Sequence, residues 1–136
     1  MRAPALAALI LTLAALPAPS LAAHGGPAEE KKKGGGESFL QFPAMTATVI
    51  RPNGRRGVLQ VESGLDIPDG ALRERAAASQ PRLRDAYVRF LMNYANAVPP
   101  GAPPNPDTIS AALQRATDDV LGKPGAKLLL GTILIN

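Results

Sequence analysis

Residues 38–67 alternate between apolar and polar side chains, and this period of two predicts a β-hairpin. The first strand, SFLQFPAMTATVI, is rich in β-branched and aromatic residues, and Pro43 within it indicates a bulge or a sheet edge. Asn53 and Gly54 form a dipeptide that is typical of a tight hairpin turn. The second strand, VLQVESGLDI, separates its apolar and polar residues onto two faces, with Leu59, Val61, Leu65 and Ile67 opposite Gln60, Glu62 and Asp66.

After the hairpin the apolar period changes to about 3.6 residues, which predicts a helix beginning near Ala71. Asp69 can cap this helix, because its carboxylate can accept a hydrogen bond from a free backbone N–H. Pro81 lacks an N–H and crowds the carbonyl four residues earlier, so the helix is expected to kink or restart there. The apolar stripe, which we expect to face the core, comprises Leu72, Ala76, Leu83, Ala86, Tyr87, Phe90 and Tyr94.

Arginines flank this apolar stripe. Arg75, Arg82 and Arg89 recur every seven residues on one side, and they align if the segments before and after Pro81 stay coaxial. Asp85 precedes Arg89 by four residues, which is the favourable order for a helical ion pair. We therefore predict that the three arginines form a partner-binding flank for an acidic partner.

A proline-rich connector, VPPGAPPNP, separates this helix from a second one. Asn105 as cap and Pro106 at the first helical position predict where the second helix begins, and GKPG predicts its end. Its apolar stripe comprises Ile109, Ala112, Leu113, Ala116 and Val120. The chain closes with AKLLLGTILIN, whose apolar run predicts a strand buried on both faces.

The predicted order is therefore two strands, two helices and a strand (ββααβ). This order predicts an α+β domain over residues 38–136, with a small antiparallel or mixed sheet and both helices packed on one face.

The first 22 residues have the organisation of a secretory signal peptide. Arg2 gives a positive start, an apolar run spans residues 5–16, and small residues follow two prolines. Cleavage after Ala22 is the first choice and cleavage after Ala23 the second. The alternative is an uncleaved anchor in the inner membrane, but the run of about 12 residues is short of the roughly 20 that cross a bilayer. The sequence thus predicts export to the periplasm.

Residues 23–37 are rich in glycine and lysine and contain no large apolar side chain, so they predict a flexible tether. Lys31, Lys32 and Lys33 could contact anionic lipid head groups at the inner membrane. The adjacent Glu29 and Glu30 favour a simple solubilising spacer instead.

Composition limits the chemistry available to the chain. With no cysteine, disulfides, thiol nucleophiles and thiolate metal sites are excluded. The 15 basic and 11 acidic residues give a formal charge of +4, which is weaker than in a dedicated nucleic-acid binder, and no nucleic-acid partner is expected.

Candidate catalytic and metal-binding groups are few. His24 is the single histidine and lies in the predicted tether, where it cannot hold a fixed geometry for a serine or a metal ion. Two carboxylate pairs occur, Asp66 with Asp69 and Asp118 with Asp119, but neither has the other groups that a site requires. We expect no catalytic residues, no metal and no cofactor, and a protein that is not an enzyme.

Residues 38–136 resemble the FliL family of bacterial flagellar basal-body-associated proteins. The similar features are two apolar strands, FLQFPAMTATVI and GRRGVLQVESGLDI, a second amphipathic helix and a final strand, LLLGTILIN. The first helix carries RAAASQPRLRDA, which is similar to a family pattern of Arg, five residues, Pro, two residues and Arg-Asp-Ala.

This resemblance implies a periplasmic, membrane-associated domain with a stomatin-like fold. It implies self-association into an oligomer, contact with flagellar motor and stator proteins in support of motility, and no enzymatic activity. The alternative function is a periplasmic binding module that uses its arginines to hold an anionic ligand, such as lipid head groups or wall polymer.

Overall fold

The computed structural model describes residues 36–136. The predicted signal peptide, its cleavage position and the proposed lipid contact of Lys31, Lys32 and Lys33 all lie outside the described residues. Residues 36–38, which include the last two residues of the predicted tether, form a turn that leads into the first strand, with the Phe39 N–H donating to the Gly36 carbonyl at 3.0 Å.

Within residues 36–136, four strands form one antiparallel sheet: β1 (Phe39–Gln41), β2 (Met45–Ile50), β3 (Arg56–Asp66) and β4 (Lys127–Ile135). β1 and β2 pair with the same edge of β3, one after the other, and β4 pairs with the opposite edge. The four strands therefore occupy three positions, with β3 in the centre. The sheet, which was predicted to be antiparallel or mixed, is antiparallel.

The predicted hairpin and its turn are confirmed. Gly54 has a φ of 74°, which glycine adopts without steric cost, and its N–H donates to the Arg51 carbonyl at 2.9 Å. The Asn53 side chain accepts from the Arg55 N–H at 3.0 Å. Pro43 lies in the gap between β1 and β2, where residues 42–44 leave the regular ladder, as a proline within a strand predicts.

In the described part of the chain, three helices pack on one face of the sheet: α1 (Gly70–Ala78), α2 (Gln80–Ala97) and α3 (Pro106–Leu121). The prediction had two helices, because it left open whether the long one kinks or restarts at Pro81. The structure shows a restart, with Pro81 in the first turn of α2 and Ser79 between α1 and α2. A proline is tolerated in the first turn because its missing N–H would have no intrahelical partner there.

The predicted caps at the starts of α1 and α3 are confirmed. Asp69 accepts from the Ala71 N–H at 3.3 Å at the start of α1. Asn105 accepts from the Thr108 N–H at 3.0 Å at the start of α3. Gly122 ends α3 in the left-handed conformation with a φ of 76°.

The core lies between the sheet and the helices. The four apolar positions predicted for the inner face of β3 (Leu59, Val61, Leu65 and Ile67) are all at most 1% exposed. On α3 the predicted Ile109 and Leu113 are buried, together with Thr117 and Leu121. The sheet therefore buries the residues that its period indicated, whereas on α3 the predicted Ala112, Ala116 and Val120 are only half-buried.

The stripe predicted for α2 is displaced around the helix. The buried residues of α2 are Leu83, Tyr87, Leu91 and Ala95, whereas Ala86, Phe90 and Tyr94 are only half-buried. The prediction placed one continuous stripe from Leu72 onward. The restart at Ser79 breaks that continuity, so the buried residues of α1 do not determine which side of α2 faces the sheet.

The prediction that the last strand is buried on both faces is wrong. In β4 only Leu128 is buried, Leu130 and Ile133 are half-buried, and three large apolar residues are exposed: Leu129, Leu134 and Ile135. The helices of the described chain cover one face of the sheet, so Leu129 and Leu134, which pair with Gly64 and Gln60, point to the uncovered face, whereas Ile135 pairs with Leu59 near the end of the strand. β4 is also an edge strand, which leaves its outer side open.

A pair of alanine substitutions tests the side of α2 that forms the core. Leu91 is completely buried, so Leu91→Ala should lower the free energy of unfolding by about 2–5 kcal/mol. Phe90→Ala should cost less, because the Phe90 ring keeps part of its surface in water. Urea denaturation of the two variants measures both values. A larger loss for Phe90→Ala would contradict the observed orientation of α2.

Tyr87 introduces a polar group into this core. Its hydroxyl lies 2.6 Å from that of Thr117, which in turn donates to the Leu113 carbonyl at 2.7 Å. The Tyr87 ring also contacts Phe42 edge-on, with the ring centroids 5.2 Å apart. Burial raises the pKa of the Tyr87 hydroxyl, the bond to Thr117 lowers it in part, and the nearby Asp118 raises it further.

The raised pKa of Tyr87 predicts how stability changes at alkaline pH. A tyrosine whose pKa is raised by folding contributes stability below its unfolded pKa of about 10, and that contribution is lost as the pH rises through the folded value. Tyr87→Phe should therefore lose less stability than the wild type between neutral pH and pH values above about 10. Urea denaturation across this range measures the difference, with Tyr94→Phe as the control. Equal alkaline losses in the wild type and Tyr87→Phe would refute the assignment.

Candidate functional site

The exposed side of α2 borders a groove shared with α3. The groove has a volume of about 560 Å³ and is lined by Pro81, Arg82, Asp85, Ala86, Arg89 and Val120. Five of these residues come from α2, and Val120 comes from near the end of α3. The groove therefore combines an apolar floor with two arginines and one carboxylate.

Two of the three predicted partner-binding arginines, Arg82 and Arg89, lie together on this groove. Both are exposed, and they are separated by two helical turns along α2. Arg89 donates to Asp85 at 2.6 Å, in the ion pair that the four-residue spacing predicted. The two side chains are 73% and 67% exposed, so the pair contributes only about 0.3–0.5 kcal/mol and leaves Arg89 able to exchange partners.

Arg75 lies elsewhere, so the structure does not bring the three predicted arginines together on this groove. Its guanidinium donates to the Leu121 carbonyl at 3.3 Å, at the C-terminal end of α3, and Arg75 does not line the groove of Arg82 and Arg89. A positive side chain stabilises the unpaired carbonyls at a helix C-terminus. The break at Ser79 lies between Arg75 and the other two arginines, since Arg75 belongs to α1 whereas Arg82 and Arg89 belong to α2.

A second groove runs along the other flank of the exposed surface of α2. It has a volume of about 520 Å³ and is lined by Pro43, Gln80, Pro81, Arg84, Asp85 and Val88. Pro81 and Asp85 line both grooves, so they form a ridge between Arg84 on one side and Arg82 on the other. The first half of α2 thus presents one continuous exposed surface with arginines on both sides of a single carboxylate.

The carboxylate pairs considered for acid–base chemistry have structural roles in the described chain. Asp69 caps α1 and lies 3.7 Å from the Lys123 ammonium, whereas Asp66 ends β3 opposite Phe39. Asp118 accepts from the Gln114 amide at 3.1 Å. Within residues 36–136, no group of three histidine or acidic side chains could hold a metal ion.

A cluster of arginines surrounds the hairpin turn, and the alternation of apolar and polar residues does not indicate it. Arg51, Arg55 and Arg56 are exposed and surround the turn at Gly54, and none of them has an acidic partner within residues 36–136. The sequence RPNGRRG contains all three arginines, and their closeness to the Asn-Gly turn is the feature that predicts the cluster. The chain therefore has a second basic surface at the end of the β2–β3 hairpin.

Comparison with protein-family models and with curated proteins finds no match to this chain. Among the helices of residues 36–136, none is long and apolar enough to span a membrane.

The different positions of Arg75 and Arg82 predict different effects on stability. Arg75→Ala removes a contact to the end of α3, so the free energy of unfolding should fall by about 0.3–1 kcal/mol. Arg82→Ala is the matched control, and an exposed substitution of this kind should stay within about 0.5 kcal/mol of the wild type. Thermal and urea denaturation provide the comparison. A loss confined to Arg82→Ala would contradict the observed role of Arg75.

Proposed function

We propose that this chain is a non-enzymatic interaction protein of the FliL type, which supports the flagellar motor through self-association and contact with stator proteins. The observation that carries the proposal is the exposed surface of α2, where Arg82 and Arg89 border a groove while the opposite side of the same helix forms the core. These arginines have no role in the packing of the domain, so they are available to a partner.

The arrangement of elements supports the proposal. The resemblance implies a hairpin, an amphipathic helix, a second amphipathic helix and a final strand, and the described residues have these elements in that order. The Pro-Arg-Leu-Arg-Asp-Ala segment, which carries the resemblance, combines residues with different positions in α2. Pro81 begins α2, Leu83 is buried, and Arg84 and Asp85 lie on the exposed surface.

The proposed location is the periplasm. Residues 1–22 act as a signal peptide in this proposal, and residues 23–37 connect the cut end to the folded domain. The alternative is an uncleaved N-terminal anchor in the inner membrane, with the same domain on the periplasmic side. In either arrangement Lys31, Lys32 and Lys33 belong to a solubilising spacer, with contact to anionic lipid head groups as the alternative.

A binding module for an anionic ligand is the second candidate, and the hairpin arginines favour it. Arg51, Arg55 and Arg56 place three positive charges around one turn. Guanidinium groups bind phosphate and carboxylate groups in bidentate geometry, so lipid head groups or an acidic wall polymer fit this surface chemically. This function uses a surface that is separate from the α2 grooves in sequence and in the elements that carry it.

Charge reversal on α2 tests the motor-partner function. The double variant Arg82→Glu and Arg89→Glu should keep nearly the wild-type melting temperature, because both side chains are exposed. It should weaken capture of an acidic partner, and the loss should be greatest at low salt, where charges are least screened. Motility of a deletion strain that carries the variant, together with stator pull-down across salt concentrations, measures the effect.

Arg115→Glu is the matched control, since Arg115 is an exposed arginine of α3 outside both grooves. Loss of stator capture and motility in the double variant, with both retained in the control, would support the motor-partner function. Normal motility in a strain without the chain, combined with a higher melting temperature in the presence of anionic vesicles, would favour the second candidate.

A further inference from the structure

The outer edge of β4 has backbone groups that point away from the sheet. The Leu128 N–H donates to the Gln114 side chain at 2.8 Å, and so points away from β3. Asn136 and Val58 exchange two backbone hydrogen bonds, at 2.9 and 3.0 Å, so Asn136 faces β3. Because the direction alternates along an antiparallel strand, Leu130, Ile133 and Ile135 direct their backbone groups outward.

The two edges of the sheet differ in how well they are protected against pairing with another strand. On the β1 and β2 side, residues 42–44 interrupt the ladder and Pro43 removes a donor, which are common ways to block pairing with another strand. The β4 side carries neither a proline nor a charged residue from position 128 to position 135. A long apolar edge of this kind is a template for a further strand.

Gln114 closes only the beginning of this edge. Its side-chain amide donates to the Ala126 carbonyl and accepts from the Leu128 N–H, both at 2.8 Å. The amide thereby satisfies the backbone groups that an added strand would otherwise bind. The part of the edge that Gln114 does not reach begins at Leu130.

A bulge at Gly131 and Thr132 gives β4 an unusual symmetry. Val61 pairs with Ile133 and Ser63 with Leu130, so one residue of β3 opposes two residues of β4. The extra residue reverses the alternation of faces. Leu129 and Leu134 consequently both lie on the uncovered face, whereas Leu130 and Ile133 both lie on the helix-covered face.

We propose that β4 pairs antiparallel with β4 of a second copy of this chain, about a two-fold axis between Gly131 and Thr132. In this register Leu130 lies opposite Ile133 of the second copy, and Leu129 lies opposite Leu134. The proposal rests on the self-association included in the proposed function, and it names the surface, the symmetry and the register.

The register satisfies two independent conditions. Leu130 and Ile133 both point their backbone groups outward, so they can exchange hydrogen bonds across the axis. Each opposed pair also shares a face, as cross-strand neighbours in one sheet must. A shift of two residues in either direction would set an outward residue opposite a bulge residue at the axis, Leu130 opposite Gly131 or Ile133 opposite Thr132, and so lose the match there. The sequence LLLGTILI is thus close to a palindrome in size and polarity around its bulge, which favours a second copy over an unrelated strand.

The uncovered face of the sheet becomes continuous in such a dimer. Leu129 and Leu134 are 38% and 46% exposed in the single chain, and each would gain an apolar neighbour from the other copy. The contact involves one strand from each copy, so its area is at the low end for protein interfaces. We expect a dimer whose population rises steeply with protein concentration.

Engineered cysteines test the register, since the chain has no cysteine of its own. Leu129 and Leu134 of two copies form a non-hydrogen-bonded pair, with a Cα separation of about 4.5 Å that a disulfide can bridge. An oxidised mixture of Leu129→Cys and Leu134→Cys chains should give mainly the mixed dimer on a non-reducing gel. Leu134→Cys alone should cross-link poorly, because its two copies lie five residues apart along the strand, about 16 Å.

A charge near the axis tests the dimer itself. Thr132→Lys places two ammonium groups beside each other across the axis, and it should shift sedimentation of the purified chain to monomer at every concentration. Thr48→Lys is the matched control, an exposed threonine on the same sheet at β2, and it should keep the wild-type behaviour. Circular dichroism establishes that both variants are folded.

Three outcomes would overturn the proposal. The first is a wild-type chain that sediments as a monomer at millimolar concentration. The second is cross-linking of Leu134→Cys alone that equals cross-linking of the mixture. The third is protection of the β4 amides from hydrogen exchange that is independent of concentration and disappears when residues 1–35 are deleted, since these residues would then be the occupant. All three measurements use the purified chain without stator proteins, so failure of the motor function would leave their result unchanged.

Discussion

The fold depends on β3 being paired along both of its edges. β3 has 11 residues, and it is the single strand that touches all three others, so it holds the sheet together. Its inward residues Leu59, Val61 and Leu65 are at most 1% exposed and form the floor on which the helices pack. The burial of three such side chains is worth about 1.5–3 kcal/mol each, a large amount for a small domain. The remaining elements are arranged around this strand.

The one-sided helical layer has a consequence for the rest of the surface. Because α1, α2 and α3 lie on the same face, the opposite face of the described domain keeps its side chains in water. Threonines cover much of that face on β2, and the Phe39 ring lies over Gly64, where a Cβ atom would collide with it. Near β4 the face is aliphatic. The strand that completes the core is therefore also the strand that leaves apolar surface exposed.

Local signals in the sequence predicted the parts of the structure that local chemistry determines. The turn at Gly54, the cap at Asp69 and the start of α3 at Pro106 each depend on a few adjacent residues, and each is found where the sequence places it. Two predictions failed because they concern longer-range relations. The phase of α2 and the position of Arg75 both depended on continuity across Ser79, which the sequence left open.

The burial of β4 on both faces was predicted wrongly for a similar reason. An apolar run such as LLLGTILI is compatible with a central strand buried on two faces or with an exposed edge strand. The sequence of one chain does not distinguish these two positions in a sheet. The difference is decided by how many helices the chain has and on which face they pack. The groove of Arg82 and Arg89 was predictable in part, because the seven-residue spacing was correct within α2. The second wall of this groove was not predictable, since Val120 reaches the groove through the packing of α3 on α2.

The three exposed surfaces differ in chemistry and in the elements that carry them. The arginine grooves belong to α2 and the basic turn to the β2–β3 hairpin, whereas the apolar edge belongs to β4. Apolar edge pairing depends little on salt, but arginine contacts weaken as ionic strength rises. A chain with this division can associate with itself through β4 while its arginines remain exposed to a second partner. Self-association would then place several copies of each basic surface side by side, and weak contacts made by each copy would be strengthened by multivalency.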